Sequence, residues 1–331
     1  MTSSPLRLGI VGAGRATEKL YVPAAPQAPG GSIVAIADTR PERRDLIAQS
    51  VPGCTGYDSL TAMLAEANLD GVIVATPPGS HLAITREALA AGCAVLVEKP
   101  LAEDIEEAKA FVEEIGDQVA KVVVGYNRRE WLPVRRMKDA ASRMDLAGAT
   151  VDGAFCIDVS GWDPIAGAVD PLDDLGTHYL DLVRYILEDE IATLSASRPA
   201  EKRIEIKLTT DRGIEVGLVH EHGTDTFEHF DLHAKNDRLR LQMGSDRIQP
   251  AAGLGRTLGD KIDKVKRKLA GNGWTLGESY ARQLNNFYAV IEGKAKPSPS
   301  VHDGLRAMIA TDAARRSASE GGKEITINGH A

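Results

Sequence analysis

The chain has 331 residues, of which 43% are hydrophobic and 26% charged, and carries a formal net charge of −8. That length suits two domains with their own cores, and the composition is that of a folded protein rather than a disordered one. An acidic balance repels phosphate backbones before any specific contact forms, so nucleic acid is excluded as a partner and a small-molecule ligand is expected.

Three cysteines, Cys54, Cys93 and Cys156, stand far apart in apolar or turn contexts. They form neither a disulfide framework nor a metal-ligand spacing, which points to a reducing compartment and no metal. No apolar run approaches the roughly 18 residues of a membrane span, and the amino terminus lacks a charged stretch followed by a long apolar core. A cytoplasmic protein without a membrane partner is the expectation.

From Leu6 to about Tyr126, short apolar runs alternate with helical stretches: LRLGIVG, SIVAIAD, LDGVIVATPP, CAVLVEKP and KVVVGYN, with helix candidates at 41–50, 58–67, 80–91 and 103–115. This βαβ repetition predicts a doubly wound parallel sheet of the Rossmann type over residues 1–126, an α/β arrangement with right-handed crossovers. After Asn127 the rhythm changes. A helix near 131–146, a strand near 148–159, a helix near 174–188 and strands at 202–210, 213–221, 226–234 and 236–243 predict an α+β domain over 127–331 with a mostly antiparallel, open sheet. The basic run KIDKVKRK within 252–273 reads as a solvated helix face. Helices near 276–293 and 301–319 and a short strand at EITI close the chain. The open sheet face is a candidate oligomer surface, for a homodimer or homotetramer.

In LGIVGAGRATEKL, Gly12 and Gly14 follow an apolar strand and precede a helix. Gly12 suits a tight turn and Gly14 the approach of a pyrophosphate to the helix N-terminus, while Thr17 stands where a third glycine is usual. A glycine turn with no ligand is the bland alternative. The second strand ends in Asp38, an acid suited to accept hydrogen bonds from an adenosine ribose and to disfavour a 2′-phosphate. This points to NAD, with NADP the alternative should Arg40, Arg43 or Arg44 turn inward.

In DPLDDLGTHYLDLVRYIL, Asp174 and His178 are four apart and share a helical face, with Asp181 a turn further on. They read either as an acid–base unit, with Asp181 setting the tautomer of His178, or as a capped helix start with a core histidine. Gly176 inside the helix favours the first by suggesting a close approach. In AVLVEKPL, Lys99 follows an apolar run that Pro100 stops, which places its amine either in the crevice at the end of a parallel strand or simply in solvent.

Taken in order, the GxGR turn, Asp38, ATPPGSH at 75–81, VEKPLA at 97–102, GYNRR at 125–129, DLGTH at 174–178 and the closing stretch SYARQLNNFYAVIEGKAKPSPSVHDGLRAM resemble the glucose–fructose oxidoreductase / inositol dehydrogenase / MocA family over almost the whole chain. The resemblance implies an NAD(P)-dependent oxidoreductase acting on a secondary hydroxyl of a sugar, polyol or related ring compound. It implies Lys99, often before a cis Lys–Pro bond, beside the nicotinamide, with Asp174 and His178 as the catalytic pair and His178 the general base. It also implies a cofactor lined by Gly12, Gly14, Arg15, Ala16, Asp38, Thr76, Pro77, Pro78, His81, Glu98 and Lys99, with Asn127 at the junction of the domains and near the substrate. Trp162 reads either as a residue that stacks on a sugar ring or as part of the core or domain interface. The chain departs from the family where Ala168-Val169-Asp170-Pro171 replaces glycines before the catalytic aspartate. An NAD-dependent glycosidase working by transient oxidation, and a non-catalytic nucleotide sensor, are the competing readings.

Overall fold

The computed structural model describes residues 4–158, 170–235, 237–242, 249–250 and 274–327. Strands β1 (Leu6–Val11), β2 (Gly31–Ala37), β3 (Thr55–Tyr57), β4 (Gly71–Val74), β5 (Ala94–Val97) and β6 (Val122–Val124) pair in parallel in the order β3-β2-β1-β4-β5-β6. The order reverses between β1 and β4, and the carboxyl ends of strands on either side of such a reversal open a crevice where doubly wound sheets bind ligands. Every residue of β4, β5 and β6 is buried, as expected of parallel strands covered on both faces. The helix Ile105–Ile115 shows how the crossovers are specified. The Asp104 carboxylate accepts the Glu107 N–H at 2.9 Å, Glu106 and Glu107 sit in the first turn, and Ala108, Phe111, Val112 and Ile115 form the buried stripe. Strand β3 is absent from the sequence-based expectation because three half-exposed residues with a central glycine carry no readable period.

By contact, the chain divides into one unit of Met1–Glu130 with Thr275–Leu305 and another of Trp131–Trp274 with Arg306–Ala331. A single cut after residue 126 does not capture this division, because the helix Trp274–Ile291 returns to the first unit. Its Leu284, Phe287, Tyr288 and Val290 share a core with Leu8, Ile10, Ile33, Ile36 and Ile73. Packing is close enough that a Cβ on Gly71, at the start of β4, would stand 2.9 Å from the Phe287 ring.

The second unit is a mixed sheet of eight strands: β7 (Thr150–Asp158), β8 (Ile191–Ala200), β9 (Arg203–Thr210), β10 (Glu215–Gly223), β11 (Phe227–His233), β12 (Arg238–Gln242), β13 (Gln249–Pro250) and β14 (Ile325–Thr326), in the order β13-β12-β11-β7-β10-β9-β8-β14. Only β7 and β10 run parallel; the other neighbours are antiparallel. Alternate residues of β9, β10 and β11 face one side, where Ile204, Ile206, Leu208, Val216, Leu218, Phe230 and Leu232 pack with Val134 and Met137 of the helix Leu132–Ala141, Leu180 and Val183 of the helix Thr177–Leu187, and Ala310 and Ala313 of the helix Val301–Ser319. Strand β8 is a second element the sequence reading lacks: IATLSASRPA dilutes a short apolar alternation with serines, an arginine and a proline, and its last four residues are exposed. The basic run at 261–268 lies outside the described residues.

Phe287→Ala removes a fully buried ring beneath the parallel sheet and is expected to destabilise the first unit by about 3–5 kcal/mol. Urea unfolding followed by far-UV circular dichroism checks this as a lowered midpoint at unchanged slope.

Candidate active site

The loop after β1 is stitched between two neighbouring strand ends: Gly12 N–H donates to Ala37 O at 2.8 Å, and Ala75 N–H to Val11 O at 2.8 Å. Gly12 has φ of +101°, and a Cβ there would stand 2.4 Å from Ala75 O, so both conformation and space require glycine. Gly14 is the opposite case, with no atom within 4 Å of where its Cβ would lie. The two glycines therefore do different work, one for the turn and one leaving open room above it. Thr17, in the third glycine's place, is buried and its hydroxyl donates to Gly12 O at 2.5 Å. The chain from Thr17 to Tyr21 then winds as a wide π-helical turn. Arg15 is exposed and Ala16 half-buried at the start of this segment.

Asp38 follows β2 and is held tightly. Its Oδ2 accepts the Ala13 N–H at 2.7 Å and Arg40 Nη2 at 3.0 Å, while Oδ1 accepts Arg40 N–H at 2.9 Å and Nε at 3.0 Å. Burial opposes its ionisation, yet the Arg40 and Ala13 hydrogen bonds and the Arg40 charge outweigh it and hold the carboxyl down at about 2. The other two arginines are engaged elsewhere: Arg43 donates to Ala13 O at 3.0 Å and to Glu18 at 2.7 Å, and Arg44 to Asp45 at 2.7 Å. Open room above Gly14 and an ionised acceptor at the end of β2 fit a dinucleotide whose ribose hydroxyls are free.

At the end of β4, Ser80 Oγ donates to Thr76 Oγ1 at 2.8 Å within the turn Pro78–Ser80, and Pro77 is exposed. His81 is fully buried: its Nδ1 lies 2.9 Å from Pro100 O and its Nε2 2.7 Å from Thr76 O. Burial pushes its pKa down, against those two carbonyls. The ring thus ties the end of β4 to the chain just past Lys99 rather than presenting a face to the loop surface. The Lys99–Pro100 bond is cis, and Glu98 and Lys99 are half-buried directly after β5. Asn127, after β6, is buried and donates from Nδ2 to Ser279 Oγ at 2.9 Å, a contact inside the first unit.

In the second unit, Asp170 caps the segment that follows: its Oδ1 accepts the Leu172 N–H at 2.8 Å, and its Oδ2 pairs with Arg198 at 2.7 Å. Asp173 pairs with Arg315 at 2.5 Å. Asp174 instead faces the sheet, its Oδ2 3.4 Å from His222 Nε2. The three carboxylates therefore have different neighbours, and the first two are committed to arginines. Residues Leu172–Gly176 form a π-helical turn and His178 sits, largely buried, in the first turn of the helix Thr177–Leu187. The chain itself makes a close approach at Gly176: a Cβ there would stand 2.8 Å from Leu172 Cδ1, within the wide turn. Asp181 is fully buried, with Arg184 Nη1 3.7 Å away. Trp162, Ala168 and Val169 lie outside the described residues.

Two residues that sequence alone did not single out lie on the strand that Asp174 faces. His220 and His222 alternate on β10 and are both buried on its helix-facing side, His220 stacked on Phe155 at 5.3 Å between ring centroids. Beside them Tyr179 donates a hydrogen bond to the buried Glu228 of β11. A period-two pattern holding histidines where leucine and valine occur elsewhere on the same strand is the trace they leave in the sequence. Among the described residues no helix is long and apolar enough to cross a membrane, and no group of His, Cys, Asp and Glu is arranged to hold a metal.

Asp38→Ala is expected to weaken NAD at least tenfold, in keeping with the roughly 1.5–3 kcal/mol of a hydrogen bond to a charged group. A carboxyl depressed to about 2 is ionised at every pH above the ordinary carboxylate range and loses its charge only as the pH falls towards that value. Isothermal titration at several pH values from 5 to 8 should accordingly show no acid limb from this group in the unmodified protein.

Residues 6–126 match the family model described as an oxidoreductase family with an NAD-binding Rossmann fold. The chain is 28% identical to the inositol 2-dehydrogenase of Rhizobium meliloti over 341 residues, covering 95% of this chain and 97% of that protein. It is 26% identical to the D-apiose dehydrogenase of Rhizobium rhizogenes, covering 88% and 89%. Its fold is similar to that of scyllo-inositol dehydrogenase from Lactobacillus casei, solved with NAD(H) and scyllo-inositol, at a TM-score of 0.82 and 16% identity over 98% of this chain and 99% of that one. The glycine turn and Asp38 thus stand in the part of the chain that the family model covers, and residues 6–126 belong to the NAD-binding Rossmann fold of that oxidoreductase family, in a chain similar along nearly its whole length to an inositol 2-dehydrogenase.

Proposed function

We propose that the protein is an NAD-dependent dehydrogenase that oxidises a secondary hydroxyl of a polyhydroxylated ring, an inositol or a sugar. The observation that carries this reading is the Gly12–Gly14 turn with Asp38 ionised beside it, in a chain that aligns over 95% of its length with an inositol 2-dehydrogenase. NAD, when bound, supplies the hydride acceptor. His178 is the general base that takes the hydroxyl proton as the carbon gives up its hydride, and the product is a ketone. Asp174 orients His178 and accepts a hydrogen bond from a ring hydroxyl. Lys99 donates from its ammonium to the reacting oxygen, which stabilises negative charge as the proton leaves. Asn127 is proposed at the substrate side of the cofactor.

Titration with NAD and NADP in parallel, followed by NADH absorbance across inositols and aldoses, tests the reading. Tight NAD binding with turnover on a ring polyol supports it. Release of a cleaved sugar without net NADH would overturn it in favour of a glycosidase. Lys99→Ala is expected to leave NAD affinity within a few-fold and abolish turnover, and His178→Ala to lower kcat by about 10²–10⁴-fold.

A further inference from the structure

Glu98 is an ionisable side chain in a place where an apolar one would be simpler to bury. It follows the wholly buried β5, and its carboxyl turns inward. Tyr21 Oη donates to Oε1 at 2.7 Å, and the backbone N–H of Lys99 donates to Oε2 at 3.2 Å. Tyr21 is itself fully buried, its ring edge-on to Tyr280 at 5.1 Å between centroids. Room for the carboxyl depends on Gly125 after β6, where a Cβ would lie 3.0 Å from both Glu98 Cα and Oε2. Three separate segments are thus shaped around one carboxyl. Burying such a group costs several kcal/mol unless its partners compensate.

Both oxygens of Glu98 accept from donors, the arrangement that suits a carboxylate. Burial pushes the carboxyl up, and the Tyr21 hydrogen bond, the Lys99 charge and the Lys99 N–H act against that rise. Lys99 is held on both sides as a result: Glu98 takes its own N–H, and His81 lies against the carbonyl of the next residue. The route also reaches the nucleotide turn, since Tyr21 ends the π-helical segment whose first residue, Thr17, is bonded to Gly12 O.

We infer that Glu98, anchored by Tyr21, is a positioning residue for Lys99: it fixes the backbone of Lys99 and places a carboxylate near its ammonium. The inference rests on the proposed role of Lys99. The titratable and charged groups around Glu98 are Tyr21, Lys99 and Tyr280, the last feeling the charge of Arg128. Removing the carboxylate charge takes away a neighbour that favours the ammonium, so the amine of Lys99 should lose its proton at lower pH.

The test uses Glu98→Gln, Tyr21→Phe and the double variant in the full chain. In the cofactor-free protein, reductive ¹³C-methylation reports the titration of Lys99 by NMR, its resonance assigned by its absence in Lys99→Arg. Glu98→Gln should shift that titration to lower pH and lower kcat at least tenfold, with the substrate KM little changed. Tyr21→Phe should lower kcat by less, and the double variant should be no slower than Glu98→Gln alone, the mark of groups acting through one another. An unchanged Lys99 titration and kcat in Glu98→Gln, with Lys99→Ala inactive, overturns the inference and leaves the proposed function standing. Turnover retained in Lys99→Ala overturns the role of Lys99 itself. Should Glu98→Gln fail to fold, Tyr21→Phe with unaltered kcat and Lys99 titration overturns the inference on its own.

Discussion

Strands β4, β5 and β6 are buried along their whole length, and a parallel sheet covered on both faces has no interior place for an unpartnered charge. Polar groups are therefore displaced to where the strands stop. Gly12 and Ala13 follow β1, Asp38 follows β2, Thr76 follows β4, Glu98 and Lys99 follow β5, and Asn127 lies shortly after β6. The chemistry of the first unit is gathered at one end of one sheet because the hydrophobic requirement of the strands permits it there. The loops then bond to one another across strands, as in Gly12 to Ala37 and His81 to Thr76 and Pro100, so the groups are held by the sheet beneath rather than by their own loops.

The two acids of this edge show how neighbourhood separates like residues. Asp38 sits beside an arginine and two backbone N–H groups that hold its carboxyl far below the ordinary range. Glu98 is turned into the interior, and burial pushes it the other way. One is held ionised by its protein partners at the end of β2, and the other is turned into the interior after β5. In the second unit a comparable division occurs among Asp170, Asp173 and Asp174: two neutralise arginines and the third faces a buried histidine. The polar layer of His220, His222 and Glu228 beneath the helix Thr177–Leu187 interrupts an otherwise apolar sheet face. Buried polar groups of this kind are retained only where partners exist for them.

Five of the six parallel strands and four of the helices between them were legible from apolar runs bounded by turn, proline or capping residues, most clearly Asp104 before the amphipathic Ile105–Ile115. Strands β3 and β8 were not, since a three-residue strand has no period and β8 is diluted by polar residues. The glycine turn was readable from spacing, yet the distinct tasks of Gly12 and Gly14 emerge only from what surrounds each position. Gly176 is similar: its place in the sequence suggested a close approach, and only the structure names Leu172 as a side chain that makes one.

Local pattern thus determined the alternation of strands and helices, the turn after β1, the acid after β2 and the candidate residues Lys99, Asp174 and His178, because periodicity and turn chemistry act over a few neighbours. Tertiary structure decided what those neighbours could not. It sent Arg40 to Asp38 while Arg43 and Arg44 went elsewhere, separated Asp173 from Asp174, returned the helix Trp274–Ile291 beneath the first sheet and brought Tyr21 to Glu98 across 77 positions of sequence. Each is a choice of partner made by burial and hydrogen bonding between distant segments, and a linear reading has no measure of which distant segment will arrive.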